Sequence, residues 1–149
     1  MTTQTHVTLG SMFPCLFYRD ANAAIDWLER VFGFERVMLV PGEDGAVAHS
    51  ELKLGNGMIM VGTAGAGTSI QNCASPLDVG RVTQSTYVYI DDADLDAHYA
   101  AAKAAGAEIT RDFERKDYGG GGYSARDLEG HEWSFGSYMP EYPPAPHGS

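Results

Sequence analysis

The stretch ARDLEGHEWSFGSY, residues 125–138, decides the fold of this chain. Asp127 and Gly130 bracket a tight turn, after which Trp133 and Phe135 alternate with smaller or polar residues. Strict alternation predicts a strand with one apolar face and one polar face. The polar face carries Glu132, Ser134 and Gly136. A strand of this kind poses the question of whether its polar face is the wall of a binding site.

The same turn-and-strand pattern ends the first half of the chain, in LKLGNGMIMVG, residues 52–62. Before it, residues 12–20 read as a strand that leads into a helix start at Asp20. Residues 21–33 place apolar side chains on one helical stripe, and Gly33 is a typical helix end. The segments FERVMLV, AVAHSELKL and MIMVG then predict three antiparallel strands joined by the turns PGEDG and GNG.

The second half repeats this order. STYVYID predicts a strand, DADLDAHYAAAKAAG predicts a helix that ends at Gly106, and three further strands follow. We expect each unit to form a four-stranded antiparallel sheet with one helix on one face. The predicted class is α+β, with two βαβββ modules that form a curved mixed or antiparallel sheet trough. The predicted modules span 11–62 and 84–138, joined by a linker at 63–83 and followed by a flexible tail at 139–149.

Composition limits the partners. Ten basic and twenty acidic residues give the 149-residue chain a formal charge of -10. That balance argues against nucleic acid and anionic membranes and favours cationic or neutral ligands. The sequence has no apolar run near about eighteen residues and no pattern typical of a signal peptide. With two cysteines, Cys15 and Cys73, we expect reduced thiols and a cytoplasmic location.

The paired units and the D-x-x-G-H-x-W-x-F ending resemble the vicinal oxygen chelate superfamily, in its glyoxalase/bleomycin-resistance-like branch. The resemblance covers roughly residues 11–138 and implies a glyoxalase-like fold and a homodimer. It also implies four metal ligands, one from the first and one from the last strand of each module. These positions fall on Phe13, Val61, Ser85 or Tyr87, and Ser134. Phenylalanine and valine cannot bind a divalent ion, and the other residues are poor ligands. We therefore predict no metal or other cofactor; the alternative is a divalent metal ion at a different set of residues.

If the ligand positions of the family face inward, strand alternation assigns the rest of the trough. Trp133 and Phe135 then pack against the helices. For Phe13 and Phe17, packing in the core or in an interface is the alternative reading, and Cys15 is either a nucleophile or a small buried apolar residue. The predicted ligand-binding residues are Phe13, Cys15, Phe17, Tyr87, Tyr89, Glu132 and Ser134.

His49 and Glu51 are the candidate catalytic pair. If Ala48, Leu52 and Leu54 face the helix, then His49 and Glu51 face the trough, about 6.6 Å apart along the strand. A histidine beside a carboxylate can act as a base, bind substrate by hydrogen bonds, or supply half of a metal site. A solvated strand face is the alternative.

Three other features are open to more than one reading. The glycine run 119–122 fits a lid hinge, a close approach of ligand to backbone, or an ordinary flexible hairpin. His98 fits a surface position or helix packing, and His131 fits capping of the turn or a structural hydrogen bond.

Two functions follow from these observations. The first is a metal-free, homodimeric protein that binds a small molecule and sequesters an aromatic or cationic compound such as an antibiotic. The alternative is a lyase or isomerase of the same superfamily. It would be metal-free and use His49 and Glu51, or depend on a metal at residues outside the family pattern.

Overall fold

The first half of the chain folds into one sheet and one long helix. The computed structural model describes residues 10–65, 72–117 and 119–141. Along the first half it contains β1 (Cys15–Tyr18), α1 (Ala21–Phe32), β2 (Glu35–Pro41), β3 (Val47–Leu54) and β4 (Gly57–Thr63). A short 3-10 turn, Glu43–Gly45, joins β2 to β3.

The second half repeats this order after a short helix, α2 (Pro76–Val79), in the segment predicted as the linker. It contains β5 (Ser85–Tyr89), α3 (Asp92–Ala104), β6 (Glu108–Arg115), β7 (Gly121–Arg126) and β8 (Glu132–Gly136). The predicted α+β class with two βαβββ modules is confirmed. Parts of the predicted linker and tail, 66–71 and 142–149, lie outside the described residues. Among the residues that are described, none of the helices has the length and apolarity needed to span a bilayer.

Each module forms a mixed sheet, which confirms the mixed form of the predicted trough; the expectation of a four-stranded antiparallel sheet in each unit was wrong. The strand orders are β1-β4-β3-β2 and β5-β8-β7-β6. The last three strands of each module pair antiparallel, as predicted. However, β1 pairs with β4, and β5 with β8, in parallel. Each of β1 and β5 is followed by a helix and not by a tight turn. Such a crossover lets later strands of the module run in the same direction as the first one.

Helix α1 begins and ends where the sequence predicts. Asp20 caps its start, because the Oδ1 atom accepts a hydrogen bond from the backbone N–H of Ala23 at 3.1 Å. Gly33 ends it in the left-handed region with φ of 85°, which a residue with a Cβ atom resists. Its buried residues recur at three- and four-residue spacing: Ala21, Ala24, Ile25, Leu28, Val31 and Phe32. One face of the helix therefore covers the first sheet.

The two modules share one core. Helix α1 contacts α3, and the ring of Phe32 lies 5.6 Å from that of Trp133 and 4.7 Å from that of Phe135, between centroids. Trp133 and Phe135 are fully buried, which agrees with their predicted place against the helices. Tilted and edge-on aromatic pairs of this kind add about 0.5–1.5 kcal/mol each beyond the apolar area that they bury.

The carboxylate of Asp127, in the turn between β7 and β8, joins the two modules. Its Oδ2 atom accepts hydrogen bonds from the Tyr18 hydroxyl at 2.5 Å and from Trp133 Nε1 at 3.0 Å. Its Oδ1 atom accepts the backbone N–H groups of residues 129–131. Burial, followed by the nearby Asp127 charge, raises the pKa of Tyr18 well above its ordinary value. The Tyr18 hydroxyl therefore stays protonated and donates to the carboxylate.

Two residues that follow Asp127 complete the junction. Glu129 is buried and accepts three hydrogen bonds from the first module and from the start of α2, whose donors are Arg19 N, Asp20 N and the Ser75 hydroxyl. His131 Nε2 donates to the carbonyl oxygen of Phe17 at 2.9 Å, which is the structural role that the sequence suggested. Among the described residues, every buried side-chain nitrogen or oxygen has a hydrogen-bond partner.

We predict that Asp127→Ala lowers the free energy of unfolding by at least about 3 kcal/mol, because several buried donors lose their acceptor at a cost of about 1–3 kcal/mol each. Urea unfolding followed by tryptophan fluorescence measures the change. Asp112→Ala is the matched control, since Asp112 is exposed on β6 and such substitutions stay within about 0.5 kcal/mol. Equal stability of the two variants would contradict this role of Asp127.

Candidate functional site

Each sheet turns one face to the helices and leaves the other face open. In the first sheet Leu52 and Ile59 are buried in the core, so side chains at the alternate positions point away from it. Cross-strand pairing aligns Cys15, Met60 and Glu51 in one row on this open face. The open face of the first sheet thus combines sulfur atoms with a carboxylate.

The open face of the second sheet carries polar side chains. In the sequence Ser134 stands between Trp133 and Phe135, whose rings are buried, so its own side chain points to the opposite, open face. The Ser134 hydroxyl forms a hydrogen bond with that of Ser124 at 2.8 Å. Glu132, on the same face, accepts a hydrogen bond from Arg126 Nε at 2.7 Å. The side chains of Glu132 and Ser134 therefore already have partners within the protein.

His49 and Glu51 form a hydrogen-bonded pair on the open face of the first sheet. The distance from His49 Nε2 to Glu51 Oε2 is 2.8 Å, and their side chains are 40% and 23% exposed. Strand alternation in the sequence predicts that Ala48, Leu52 and Leu54 face the helix. Leu52 and Leu54 do so, but at the start of the strand Val47 is buried in the core in place of Ala48. A bulge shifts the register there, because Val40 pairs with His49 but Pro41 pairs with Val47.

The larger of two neighbouring cavities lies away from these residues, along the free side of β5. It has a volume of about 1210 Å³ and is bounded by the segment before β1, the turn between β3 and β4, strand β5 and helix α3. The side chains of Phe13, Tyr87 and Tyr89 stand at its wall, 45%, 44% and 38% exposed. Its charged residues are Asp91 and Asp94, and no lysine or arginine lies among the described residues that line it.

The two tyrosine hydroxyls at this wall are fixed by hydrogen bonds. Tyr87 donates to the carbonyl oxygen of Tyr138, and Tyr89 donates to Asp91 Oδ1, both at 2.5 Å. Burial raises the pKa of Tyr87, and the hydrogen bond to Asp91 raises that of Tyr89. Both phenols are neutral at physiological pH, so each presents an uncharged aromatic ring.

The cavity therefore brings together Phe13, Tyr87 and Tyr89 of the predicted site but not the other predicted residues. His49, Glu51, Glu132 and Ser134 lie on the open faces instead. Other predicted residues on the first sheet have separate surroundings. The thiol of the exposed Cys15 lies 3.6 Å from Phe13 O and 3.9 Å from Met60 Sδ, neither of which is a base that would form a thiolate. Phe17 is buried, and its ring lies beside Gly62.

The metal positions that the family resemblance implies do not fit an ion. Val61, expected to face inward, is buried in the core against the helices; the alternation of β4 places its neighbour Met60 on the open face instead. Phe13 has no donor atom, and the Ser134 hydroxyl is paired with Ser124. Within the described ranges, no three His, Cys, Asp or Glu side chains are grouped as metal ligands would be.

His98 is a cavity residue whose role the sequence reading left open. Its Nε2 atom donates to the carbonyl oxygen of Phe32 at 2.8 Å, and Nδ1 accepts from the Tyr123 hydroxyl at 2.7 Å. Burial lowers the pKa of His98, which favours this neutral form. Its spacing from Leu95 and Ala102 places it on the buried stripe of α3, and that is the signal that could have identified it.

The glycine run is explained in part by packing. Gly121 and Gly122 belong to β7, and a Cβ atom there would come within 2.7 Å of Glu114 O and 2.8 Å of Phe135 O. These two positions are therefore closely packed parts of the sheet, which does not fit a hinge or a flexible hairpin. Gly119 and Gly120 precede the strand with φ of 98° and 79°, which glycine adopts readily.

Comparison with known proteins identifies the family to which this chain belongs. The model of the Glyoxalase/Bleomycin resistance protein/Dioxygenase superfamily matches residues 4–135. The chain therefore belongs to that superfamily, and the predicted glyoxalase-like fold is confirmed.

Among solved structures, TioX from Micromonospora sp. ML1 is similar, with 34% identity and a TM-score of 0.68, covering 90% of this chain and 100% of that one. Lactoylglutathione lyase from Agrobacterium tumefaciens has 24% identity and a TM-score of 0.62, covering 85% and 92%. The fosfomycin resistance protein FosX from Listeria monocytogenes, in complex with Mn(II) and sulfate, has 16% identity and a TM-score of 0.62, covering 89% and 95%. The last two likenesses concern the fold alone.

Proposed function

We propose that this protein binds a small aromatic compound, neutral or cationic, without the help of a metal. The observation that carries the proposal is the wall of the larger cavity, where Phe13, Tyr87 and Tyr89 expose neutral aromatic rings. Aromatic rings at such a wall stack on planar ligands and attract cations through their faces. An antibiotic with an aromatic ring is one compound of this class, and sequestering it would confer resistance.

The charge around the cavity supports the same class of ligand. Asp91 and Asp94 are the charged residues of the lining that the structure describes, and the whole chain carries a formal charge of -10. Such a field attracts cations and repels anions as they approach. Cys15 and Cys73 are free thiols, which suits the reducing cytoplasm in which we propose that the protein acts.

We also propose that two copies form a symmetric homodimer through the free edges of β1 and β5. Within the described residues, β1 pairs with β4 alone and β5 with β8 alone. Residues 84–91 all line the cavity, although alternate side chains of a strand point to opposite faces. Only a cavity along the edge of the strand can touch them all. Ile90 N–H donates to Gly136 O, so Tyr87 and Tyr89 turn their backbone groups to the free edge.

A second copy that pairs at these edges would narrow the cavity and set an open face of one chain beside an open face of the other. Unpaired edges and exposed apolar side chains such as Met12 favour such pairing. We predict that light scattering at micromolar concentration gives twice the 16.0 kDa mass of the chain. The mass of a single chain under these conditions would contradict the dimer.

To test ligand binding, we propose titrating the protein with 2-naphthamide, a neutral planar compound, by calorimetry. We predict measurable binding that Tyr89→Phe retains and Tyr89→Leu weakens roughly three- to tenfold, since aromatic pairing contributes about 0.5–1.5 kcal/mol beyond buried area. Dialysis against EDTA should leave the affinity unchanged. The proposal fails if the wild type does not bind, if the Leu variant binds as well as the wild type, or if EDTA abolishes binding.

A second candidate function is that of a lyase or isomerase, and the 2.8 Å contact between His49 and Glu51 favours it. The carboxylate can hold the orientation of the imidazole through this hydrogen bond, so that the ring can exchange a proton with a substrate on the open face. In the metal-dependent version of this candidate the same pair would supply part of an ion site outside the family pattern.

We predict that replacing both His49 and Glu51 with alanine leaves the melting temperature nearly unchanged, because both side chains lie on the open face, away from the core. If the pair is catalytic, turnover of lactoylglutathione or fosfomycin as the assay substrate falls by at least about a hundredfold, the usual contribution of a general base. Assays with and without EDTA separate the metal-free from the metal-dependent version. Wild-type protein without turnover, or a double variant with full turnover, would rule this candidate out.

A further inference from the structure

A second cavity, of about 400 Å³, adjoins the larger one. The two cavities share Met139, and the second is lined by Arg111, Lys116, the glycine run before and within β7, and the end of β8. Its chemistry differs from that of its neighbour, because its charged side chains are cations where those of the larger cavity are carboxylates.

Irregular pairing of β6 directs Arg111 to the open face of the second sheet. The register of β6 with β7 shifts on both sides of Arg111, which itself pairs with Ser124. Bulges of this kind re-aim side chains and are common beside binding sites. The Arg111 guanidinium extends over the neighbouring strand β7, because its Nη2 atom lies 3.5 Å from the position that a Cβ atom on Gly122 would take.

The charge of Arg111 is not paired with a carboxylate among the described residues, whereas four other arginines, Arg19, Arg36, Arg115 and Arg126, are paired. Arg115 binds Asp92 and Asp96, and Arg126 binds Glu108 and Glu132. For Arg111, no carboxylate of the described residues lies within ion-pair distance, and Lys116 in the same cavity pairs with Glu114. In a chain with twice as many acidic as basic residues, the Arg111 guanidinium therefore keeps its planar donors available.

Two glycines form the floor of the second cavity beside Arg111, and close packing leaves no room there for a side chain. Gly122 and Gly136 pair directly across β7 and β8. A Cβ atom on Gly122 would lie 2.8 Å from Phe135 O, and one on Gly136 would lie 2.9 Å from the Tyr87 hydroxyl oxygen. The floor can therefore carry no side chain at either position, and the aromatic ring of Tyr87 borders it toward the larger cavity.

We propose that this second cavity binds the carboxylate of the ligand through Arg111, with the aromatic body of the ligand extending over the glycine floor toward Tyr87. The planar guanidinium fork matches a carboxylate bidentately, with two parallel N–H···O bonds. This inference rests on the proposed binding function and narrows it to an aromatic compound that is neutral overall. Its carboxylate binds Arg111, and its cationic group lies at the opposite end, near Asp91 and Asp94.

The test compares 2-naphthoate with its neutral analogue 2-naphthamide by calorimetry on the full chain. In the wild type we expect the acid to bind at least tenfold more tightly than the amide. Arg111→Gln should weaken binding of the acid roughly ten- to a hundredfold, the usual effect of losing a charge-assisted hydrogen bond, and leave binding of the amide unchanged. Arg111→Lys should recover only part of the loss, because lysine lacks the planar fork.

Arg81→Gln is the matched control, since it removes the same charge from an exposed residue that lines neither cavity. It should bind both compounds as the wild type does. If the amide binds but the acid has no advantage, or if the advantage survives in Arg111→Gln, the inference about Arg111 is overturned while the proposed function stands. If neither compound binds the wild type, both are overturned. An equal loss of acid binding in Arg81→Gln would also overturn the inference about Arg111, because the effect would then come from the net charge of the chain.

Discussion

The buried carboxylate of Asp127 is the interaction on which the arrangement of the two modules depends. One oxygen binds the Tyr18 hydroxyl of the first module and the Trp133 indole of the second, while the other holds the turn that carries Glu129 and His131. A charge taken out of water is costly unless it is fully hydrogen-bonded. Four of the five hydrogen bonds to this carboxylate come from the second module, and the fifth, from Tyr18, forms when the first module docks.

This docking determines where chemistry can occur. The buried faces of α1 and α3 and the aromatic residues between them are enclosed, while each sheet keeps its opposite face open and β1 and β5 keep free edges. On those surfaces lie the pair His49–Glu51, the aromatic wall of the larger cavity and the cation Arg111. Each belongs to a different local environment, so substitutions at one of them test its role without altering the other two.

Local features of the fold could be predicted from the sequence because they depend on neighbouring residues. The cap at Asp20, the end at Gly33 and the alternation around Trp133 follow from such local rules, and so does the contact of His49 with Glu51. The parallel pairing of β1 with β4 could not, because it is made by residues far apart in the chain. The inward register expected for Val61 was wrong by one position, and a shift of one residue moves a side chain to the opposite face. The cavity along β5 was likewise unpredictable, since it depends on which strand edge stays unpaired.

The junction around Asp127 and His98 also affects how the protein unfolds. The carbonyl oxygens of Phe17 and Phe32 in the first repeat are satisfied by imidazoles of the second, and buried carboxylates of the second repeat are satisfied by donors of the first. Separating the repeats would break these bonds and expose the rings of Phe32 and Trp133 at the same time. We therefore expect the two halves to unfold as one cooperative unit, so that the buried amide protons in the centres of both sheets exchange with solvent through the same global opening.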